Sequence, residues 1–405
     1  MNRLFLKNYS PRYFMIMLSF SVFHKTNAFI TTDAPPVPHN SPTNRTEDPV
    51  GSAPKERETI KILAIDGGGI RGIVPGTLLN EMEKVTGKKT ADLFDVIAGT
   101  STGAIMALGA VIPNKEKTAP LYPASELLSL YTKEGEQVFK RNRCHKISSL
   151  FGLRSPMYKN SHLVKRMADY FGNHTLQDAY KPVLVTVQDT HRDGPMDIMS
   201  HRPKTYTKKH TNFYMREVAM SSASAPIFFP PYEAQALNGE GKATGEKFSF
   251  IDGGLHACNP AFKALRYAYS LYGPDKNYLL VTLGTGFKFD PLPHKKIKDW
   301  GAIGWAKHIV SRFMLSSIKS VDNDLKQLDE VMENLKYYRF QSLLPRSSSK
   351  LDDATPDNIA NLKLDATEMF TKDQDYTKQF IDMVTDVLKT PPQKTLSAST
   401  NTDAA

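Results

Sequence analysis

Cysteine is scarce in this chain: its 405 residues include two, Cys144 and Cys258. Two thiols permit one bridge at most, so a disulfide framework is excluded as the source of stability, and no particular redox compartment is demanded. Both are expected to be free thiols, because a core of this size needs no single staple and Cys258 lies near a turn that a crosslink would restrain. Metal-ligand spacing is also missing. The 11 histidines are scattered without a His-Glu-x-x-His pair or a Cys/His cluster, so no metal site is expected. Beyond the N-terminus no run is apolar enough to span a bilayer. Basic residues such as Lys208, Lys209, Lys295 and Lys296 come in short runs without interleaved aromatics, which argues against a nucleic-acid partner. No internal repeat is present, and no cofactor is implied.

The charge that is present is unevenly placed. The net charge of +10 falls to +6 without residues 1–28, which carry Arg3, Lys7, Arg12 and Lys25 and no acid. A moderately basic surface attracts anionic lipid headgroups through a salt-sensitive, mainly non-specific field, and it serves solubility equally well. In residues 1–28 the basic positions precede a short apolar stretch, Tyr13 to Phe23, and Thr26-Asn27-Ala28 offers a small-residue cleavage site. That pattern reads as a secretory signal peptide, with an uncleaved anchor as the alternative. Residues 29–58, rich in Pro, Thr, Asn and Ser, read as a linker. Asn44-Arg45-Thr46 and Asn173-His174-Thr175 fit the glycosylation pattern, which matters only in a eukaryotic secretory route.

Chemistry enters with Gly99-Thr100-Ser101-Thr102-Gly103. An apolar run, Phe94 to Ala98, feeds into it and a small-residue helical stretch, Ala104 to Leu108, leaves it. Gly99 and Gly103 let the backbone turn sharply, so the hydroxyl stands above a sheet edge while a helix N-terminus presents free N–H groups to developing negative charge. Ser101 is therefore a candidate nucleophile.

A second turn follows the strand-like run Ile60 to Ile65. In Asp66-Gly67-Gly68-Gly69-Ile70-Arg71-Gly72, three adjacent glycines expose successive N–H groups, a geometry that suits a phosphate or the oxyanion of an acyl-transfer intermediate. The stretch fits Gly-x-Gly-x-x-Gly formally. A dinucleotide site would need an acidic residue ending a second strand, whereas the nearest acids, Asp92 and Asp95, lie beside the serine turn. A Walker loop is excluded because no Gly-Lys-Ser/Thr follows. Third, Phe248 to Ile251 delivers Asp252-Gly253-Gly254, where Asp252 is a candidate base or a plain turn residue.

In their order and spacing these three stretches resemble the patatin-like phospholipases. About 30 residues separate the first two, and about 150 more lead to the third. The text between agrees: Asp92 to Ala98 before the serine, Ser222-Ala223-Ser224-Ala225-Pro226-Ile227-Phe228-Phe229-Pro230 before the aspartate, and Leu283-Gly284-Thr285-Gly286 after it. The resemblance covers roughly residues 60 to 290. It implies a serine–aspartate dyad, Ser101 and Asp252, with the oxyanion held by Gly67, Gly68 and Gly69 and with Arg71 beside them. Gly72, Gly99, Gly103, Gly253 and Gly254 support the turns. It also implies lipid acyl hydrolysis, a membrane lipid or lipid aggregate as partner, peripheral membrane contact during turnover, and neither metal nor cofactor.

His256, four residues after Asp252, offers a rival serine–histidine–acid arrangement in which Asp66 or Asp252 would orient the ring. A non-catalytic lipid-binding or storage protein and an esterase of small soluble esters are the other readings to separate.

Val183 to Val187 and Tyr278 to Leu283 read as further buried strands between helical stretches. The expected fold is α/β, a three-layer, mostly parallel sheet flanked by helices, with the functional turns at strand carboxyl ends. From about 295 the pattern turns helical, with Ile303, Val310, Phe313, Met314, Val321, Leu325, Leu328, Met332 and Leu335 as a core-packing stripe rather than a lipid-facing one. The expected organisation is a leader 1–28, a linker 29–58, a catalytic domain 59–290, a helical C-terminal region 291–389 packed on it, and a disordered tail 390–405.

Overall fold

The computed structural model describes residues 57–140, 155–203, 212–301, 304–305 and 308–389. The expected leader, most of the linker, Cys144, Lys208, Lys209, Ile303 and the tail lie outside them. The described residues divide into two compact units, a small one of residues 292–310 and a large one of residues 57–291 and 311–389. The small unit holds a short helix, His294–Ile297, and a ring cluster in which Trp300 stacks on His308 and meets Trp305 edge-on.

The large unit is built on one mixed sheet. Its strands are β1 (Thr59–Ile65), β2 (Val96–Thr100), β3 (Val183–Asp189), β4 (Gly194–Met199), β5 (Tyr232–Leu237), β6 (Ala243–Asp252), β7 (Asn277–Leu283) and β8 (Leu335–Phe340). The order is β5-β6-β3-β2-β1-β7-β8, with β4 also paired to β3. Pairings among β3, β2, β1, β7 and β8 are parallel, while β4, β5 and β6 are joined by antiparallel pairings.

Side chains alternate between faces along each strand, and both faces are covered. Ile60, Ile62 and Ala64 of β1 point into one apolar cluster, whereas Leu63 and Ile65 point into the other. The first cluster is closed by α6 (Ala261–Tyr272) and α7 (Ile309–Val331). The second is closed by α1 (Ile73–Thr86), α2 (Thr102–Ala110), α3 (Ala124–Val138), α4 (Ser161–Phe171), α5 (Met215–Ala223), α8 (Pro356–Thr371) and α9 (Gln374–Lys389). This is the three-layer α/β arrangement expected from the sequence. Near-continuous apolar strands such as Ile60 to Ile65, interrupted only by Lys61, are what a sheet buried on both faces requires.

One detail is new and one expectation changes. The strand delivering Asp252 is antiparallel to β3, and β5 stands before it as its hairpin partner. The helical stripe ends at Val331, and Leu335 opens β8. The physical reason is period: Leu335 and Tyr337 face one cluster and Tyr338 and Phe340 the other, a two-residue alternation of aromatics that suits an edge strand. Val321, Leu325 and Leu328 of α7, with Met332 just after it, pack on the sheet as expected, whereas Phe313 is half exposed.

Candidate active site

The site forms where β1, β2 and β6 end. In β1 and β2, Ile65 and Gly99 are paired, so the turns that follow start side by side. β4 pairs with β3 from Leu184 to Asp189 and so fills one edge, which leaves β2 and β6 to share the other. Asp252 at the end of β6 thereby arrives next to the end of β2.

Ser101 sits between β2 and α2 at φ 55° and ψ −119°, a conformation that L-residues rarely adopt. Such strain is typical of a nucleophile raised on a sharp strand-to-helix turn. The turn is held by hydrogen bonds from outside itself. The Ser101 N–H donates to Ser222 Oγ (2.8 Å), whose own hydroxyl donates to the Thr186 carbonyl (2.8 Å). Thr100 donates from Oγ1 to the Ala257 carbonyl (2.7 Å). Backbones approach closely here. A Cβ on Gly99 would lie 2.1 Å from the Gly103 carbonyl oxygen, and one on Gly103 would lie 2.2 Å from that of Ile65.

Asp252 is buried. Its N–H donates to the Ser224 carbonyl (3.1 Å), and its Oδ1 accepts the Gly254 N–H (2.7 Å). Burial raises its pKa to about 6, against the opposing pull of hydrogen bonds from the Ser101 hydroxyl and the Gly254 N–H. The Ser101 hydroxyl and the buried Asp252 carboxylate thus face each other. Gly253, between Asp252 and Gly254, stands against the Thr186 backbone.

The glycine turn supplies the donors. The Gly67 N–H is already taken by the Cys258 carbonyl (2.9 Å). Among the described residues no acceptor takes the N–H of Gly68 or Gly69. Their direction is fixed through the adjoining carbonyls, because in a planar trans peptide the N–H points opposite to the C=O. The Gly67 carbonyl, which shares its peptide with the Gly68 N–H, accepts from Thr285 Oγ1 (3.0 Å). The Gly68 carbonyl, which shares its peptide with the Gly69 N–H, accepts from the N–H and Nε of Arg71 (3.2 and 3.4 Å). Arg71 also donates from Nη1 to the Gly286 carbonyl (3.2 Å). Its guanidinium therefore braces the turn, and the Gly68 and Gly69 N–H groups are the donors it leaves without an acceptor. Gly69 has φ +59°, and a Cβ there would fall 2.2 Å from the Leu351 carbonyl oxygen. Gly72 closes the turn at the start of α1.

His256 does not complete a triad. Burial lowers its pKa to about 4, helped by Lys263 and opposed by Asp197, and both ring nitrogens are buried without a hydrogen-bond partner. Cys258 is a buried free thiol whose pKa burial drives upward, which makes it a poor nucleophile. No group of three or more potential metal ligands occurs among the described residues. Sequence reasoning missed Ser222, although it lay in the stretch quoted for the resemblance, and missed Thr285 as the tether of the Gly67 carbonyl.

The patatin-like phospholipase family model matches residues 63–265, which hold the glycine turn, Ser101 and Asp252. Patatin-like protein 1 of Oryza sativa subsp. indica is 29% identical over 341 residues, covering 77% of this chain and 80% of its own. Patatin-like protein 2 of Arabidopsis thaliana is 28% identical over 348 residues, covering 77% and 83%. Patatin group D-3 of Solanum tuberosum is 27% identical over 345 residues, covering 75% and 82%.

Proposed function

The chain belongs to the patatin-like phospholipase family, a family of lipid acyl hydrolases, and on that premise we propose that it cleaves carboxylic esters of phospholipids or related glycerolipids through an acyl-enzyme on Ser101. Asp252, ionised at neutral pH, takes the hydroxyl proton as Ser101 Oγ attacks the acyl carbonyl. The N–H groups of Gly68 and Gly69 receive the oxyanion, and preorganised donors of this kind are each worth about 3–4 kcal/mol of barrier. The protonated Asp252 hands its proton to the departing alcohol, then draws one from the water that hydrolyses the acyl-enzyme. The observation that carries this reading is the strained Ser101 turned to a buried carboxylate, with free N–H groups on the adjacent turn.

A lipid surface is the expected site of action. Leu255, three residues after Asp252, and Ile227, three residues after the Ser224 that anchors it, are 45% and 55% exposed. These exposed apolar side chains, close along the chain to Asp252 and to the Ser224 that holds it, support contact with aggregated lipid. Among the described residues no helix is long and apolar enough to cross a membrane. Export is part of the proposal and rests on the pattern of residues 1–28; N-terminal sequencing of protein recovered outside the producing cell tests it.

The deciding assay is release of free fatty acid from mixed phospholipid vesicles by the purified chain, with Ser101→Ala alongside and a chelator present. Release by the wild type alone supports metal-independent serine lipolysis. Lipid binding without release would favour a binding protein on this fold, and hydrolysis confined to monomeric esters would favour a general esterase.

A further inference from the structure

We infer that Arg339, near the end of β8, and Gln341, just beyond it, are positioning residues for the oxyanion turn, so that a part of the chain outside the family match completes the active site. The inference rests on the reading of Gly68 and Gly69 as oxyanion donors.

Arg339 acts on the root of the turn. Asp66 immediately precedes Gly67, and its carboxylate is wholly buried. Arg339 grips both of its oxygens, Nη1 to Oδ1 at 3.1 Å and Nη2 to Oδ2 at 2.5 Å, with its own side chain 5% exposed. The register makes this reach possible. Arg339 is paired with Thr282 of β7, and the Asp66 N–H donates to the carbonyl of Leu283, the next residue of that strand. A two-point contact between planar groups fixes orientation as well as distance.

Gln341 acts through Arg71. Its Oε1 accepts the Gly286 N–H (2.9 Å), and the Gly286 carbonyl accepts from Arg71 Nη1, whose Nε reaches the Gly68 carbonyl. That carbonyl sets the direction of the Gly69 N–H. A third contact comes from the same part of the chain, where the Leu351 carbonyl accepts the Ile70 N–H (2.9 Å). Gly284 shows how closely these side chains pass. A Cβ there would lie 1.9 Å from Gln341 Oε1 and 2.9 Å from Arg339 Nη2.

Arg339 and Gln341 line a cavity of about 400 Å³ together with Ile318 and Tyr337. Small solutes can therefore reach the space that a truncated Arg339 would leave.

The test measures kcat and KM on a soluble ester, with thermal melting, for the full-length wild type, Ser101→Ala, Gln341→Leu, Gln341→Glu and Arg339→Ala. Loss of alignment at a catalytic group costs up to about 100-fold, so Gln341→Leu is expected to lower kcat about 10- to 100-fold with KM within about twofold and unchanged melting. Gln341→Glu, which keeps an oxygen acceptor, recovers most of that loss. Arg339→Ala loses kcat and regains several-fold of it in millimolar guanidinium ion, but not in equal sodium chloride. Wild-type kcat in a folded Gln341→Leu overturns the inference, as does a loss in both variants that only tracks unfolding. If Arg339→Ala does not fold, the Gln341 variants decide. Wild-type hydrolysis that survives in Ser101→Ala would instead sink the underlying reading, and the inference with it.

Discussion

Asp252 stands next in line after Thr100 along one edge of β3: Thr100 is paired with Thr186, and Asp252 with Val187. Two strands of opposite direction thus end tip to tip on a shared neighbour. The residue after Thr100 is Ser101, so sheet hydrogen bonds, rather than a flexible loop, set the distance between Ser101 and Asp252. Sites carried on scaffold strands hold their geometry better than sites on loops.

The pH profile should report Asp252. Its carboxyl, raised to about 6 by burial, must be ionised to accept the Ser101 proton. On a monomeric chromogenic ester, kcat/KM is expected to rise with pH, with a midpoint near 6, and to level off above it. Below the midpoint it should fall about tenfold per pH unit. Asp252→Asn should remove nearly all activity across the range. A flat profile between pH 5 and 8 would contradict Asp252 as the base.

The same shift has a consequence for stability with a definite sign. The folded-state pKa of Asp252, about 6, lies above the ordinary 3.8, so the folded protein holds its proton more tightly than the unfolded chain does. The favourable contribution is fully present below about pH 4 and is lost as pH rises through about 6. The ionised carboxylate at pH 8 then costs up to about 3 kcal/mol. Asp252→Asn is expected to melt higher than the wild type at pH 8, with the gap closing by pH 4. A variant that melts lower at pH 8 would show that the buried carboxylate is better compensated than its surroundings indicate.

His256 is expected to be dispensable. With its pKa lowered to about 4 by burial, the ring is neutral through the working range and cannot be the source of a midpoint near 6. His256→Ala should keep kcat/KM within about twofold and leave the midpoint in place, since the residue touches neither donor nor acceptor of the proposed proton path. A folded but inactive His256→Ala protein would revive the triad.

Ser101 was legible in the sequence because its signal is local: a strand, a glycine-flanked serine and a helix within fifteen residues. Asp252 was less so, since an aspartate before two glycines is ordinary turn chemistry until the order of the three motifs gives it company. Which glycine N–H groups are free was not legible at all. That depends on the Cys258 carbonyl and on Arg71, which the fold turns toward Gly68 and Gly286. Leu335 was misread because an apolar residue three positions after Met332 continues a helical period, and only the Tyr337–Tyr338 alternation reveals a strand. Arg339 and Gln341 carry no motif. Their partners are fixed by the register of β8 on β7, which single-sequence patterns do not encode.

Ser222 supplies the last prediction, because it joins the nucleophile's backbone to the centre of the sheet. Its Oγ accepts the Ser101 N–H and its hydroxyl donates to the carbonyl of Thr186, which is paired with Thr100 and precedes Val187, the partner of Asp252. Ser222→Ala removes one oxygen atom and leaves both backbone groups without that partner. An unsatisfied buried polar group costs about 1–3 kcal/mol, so melting should drop measurably while the fold persists. The strained conformation of Ser101 would lose its outside support, since positive φ at a non-glycine residue persists only where neighbours over-determine it. The expected result is a fall in kcat of about tenfold or more, as misaligned catalytic groups show, with KM little changed. Slower labelling of Ser101 by a fluorophosphonate, measured on folded protein, would place the defect at the nucleophile itself. Wild-type labelling in a folded Ser222→Ala would mean that the turn holds its shape without this tether.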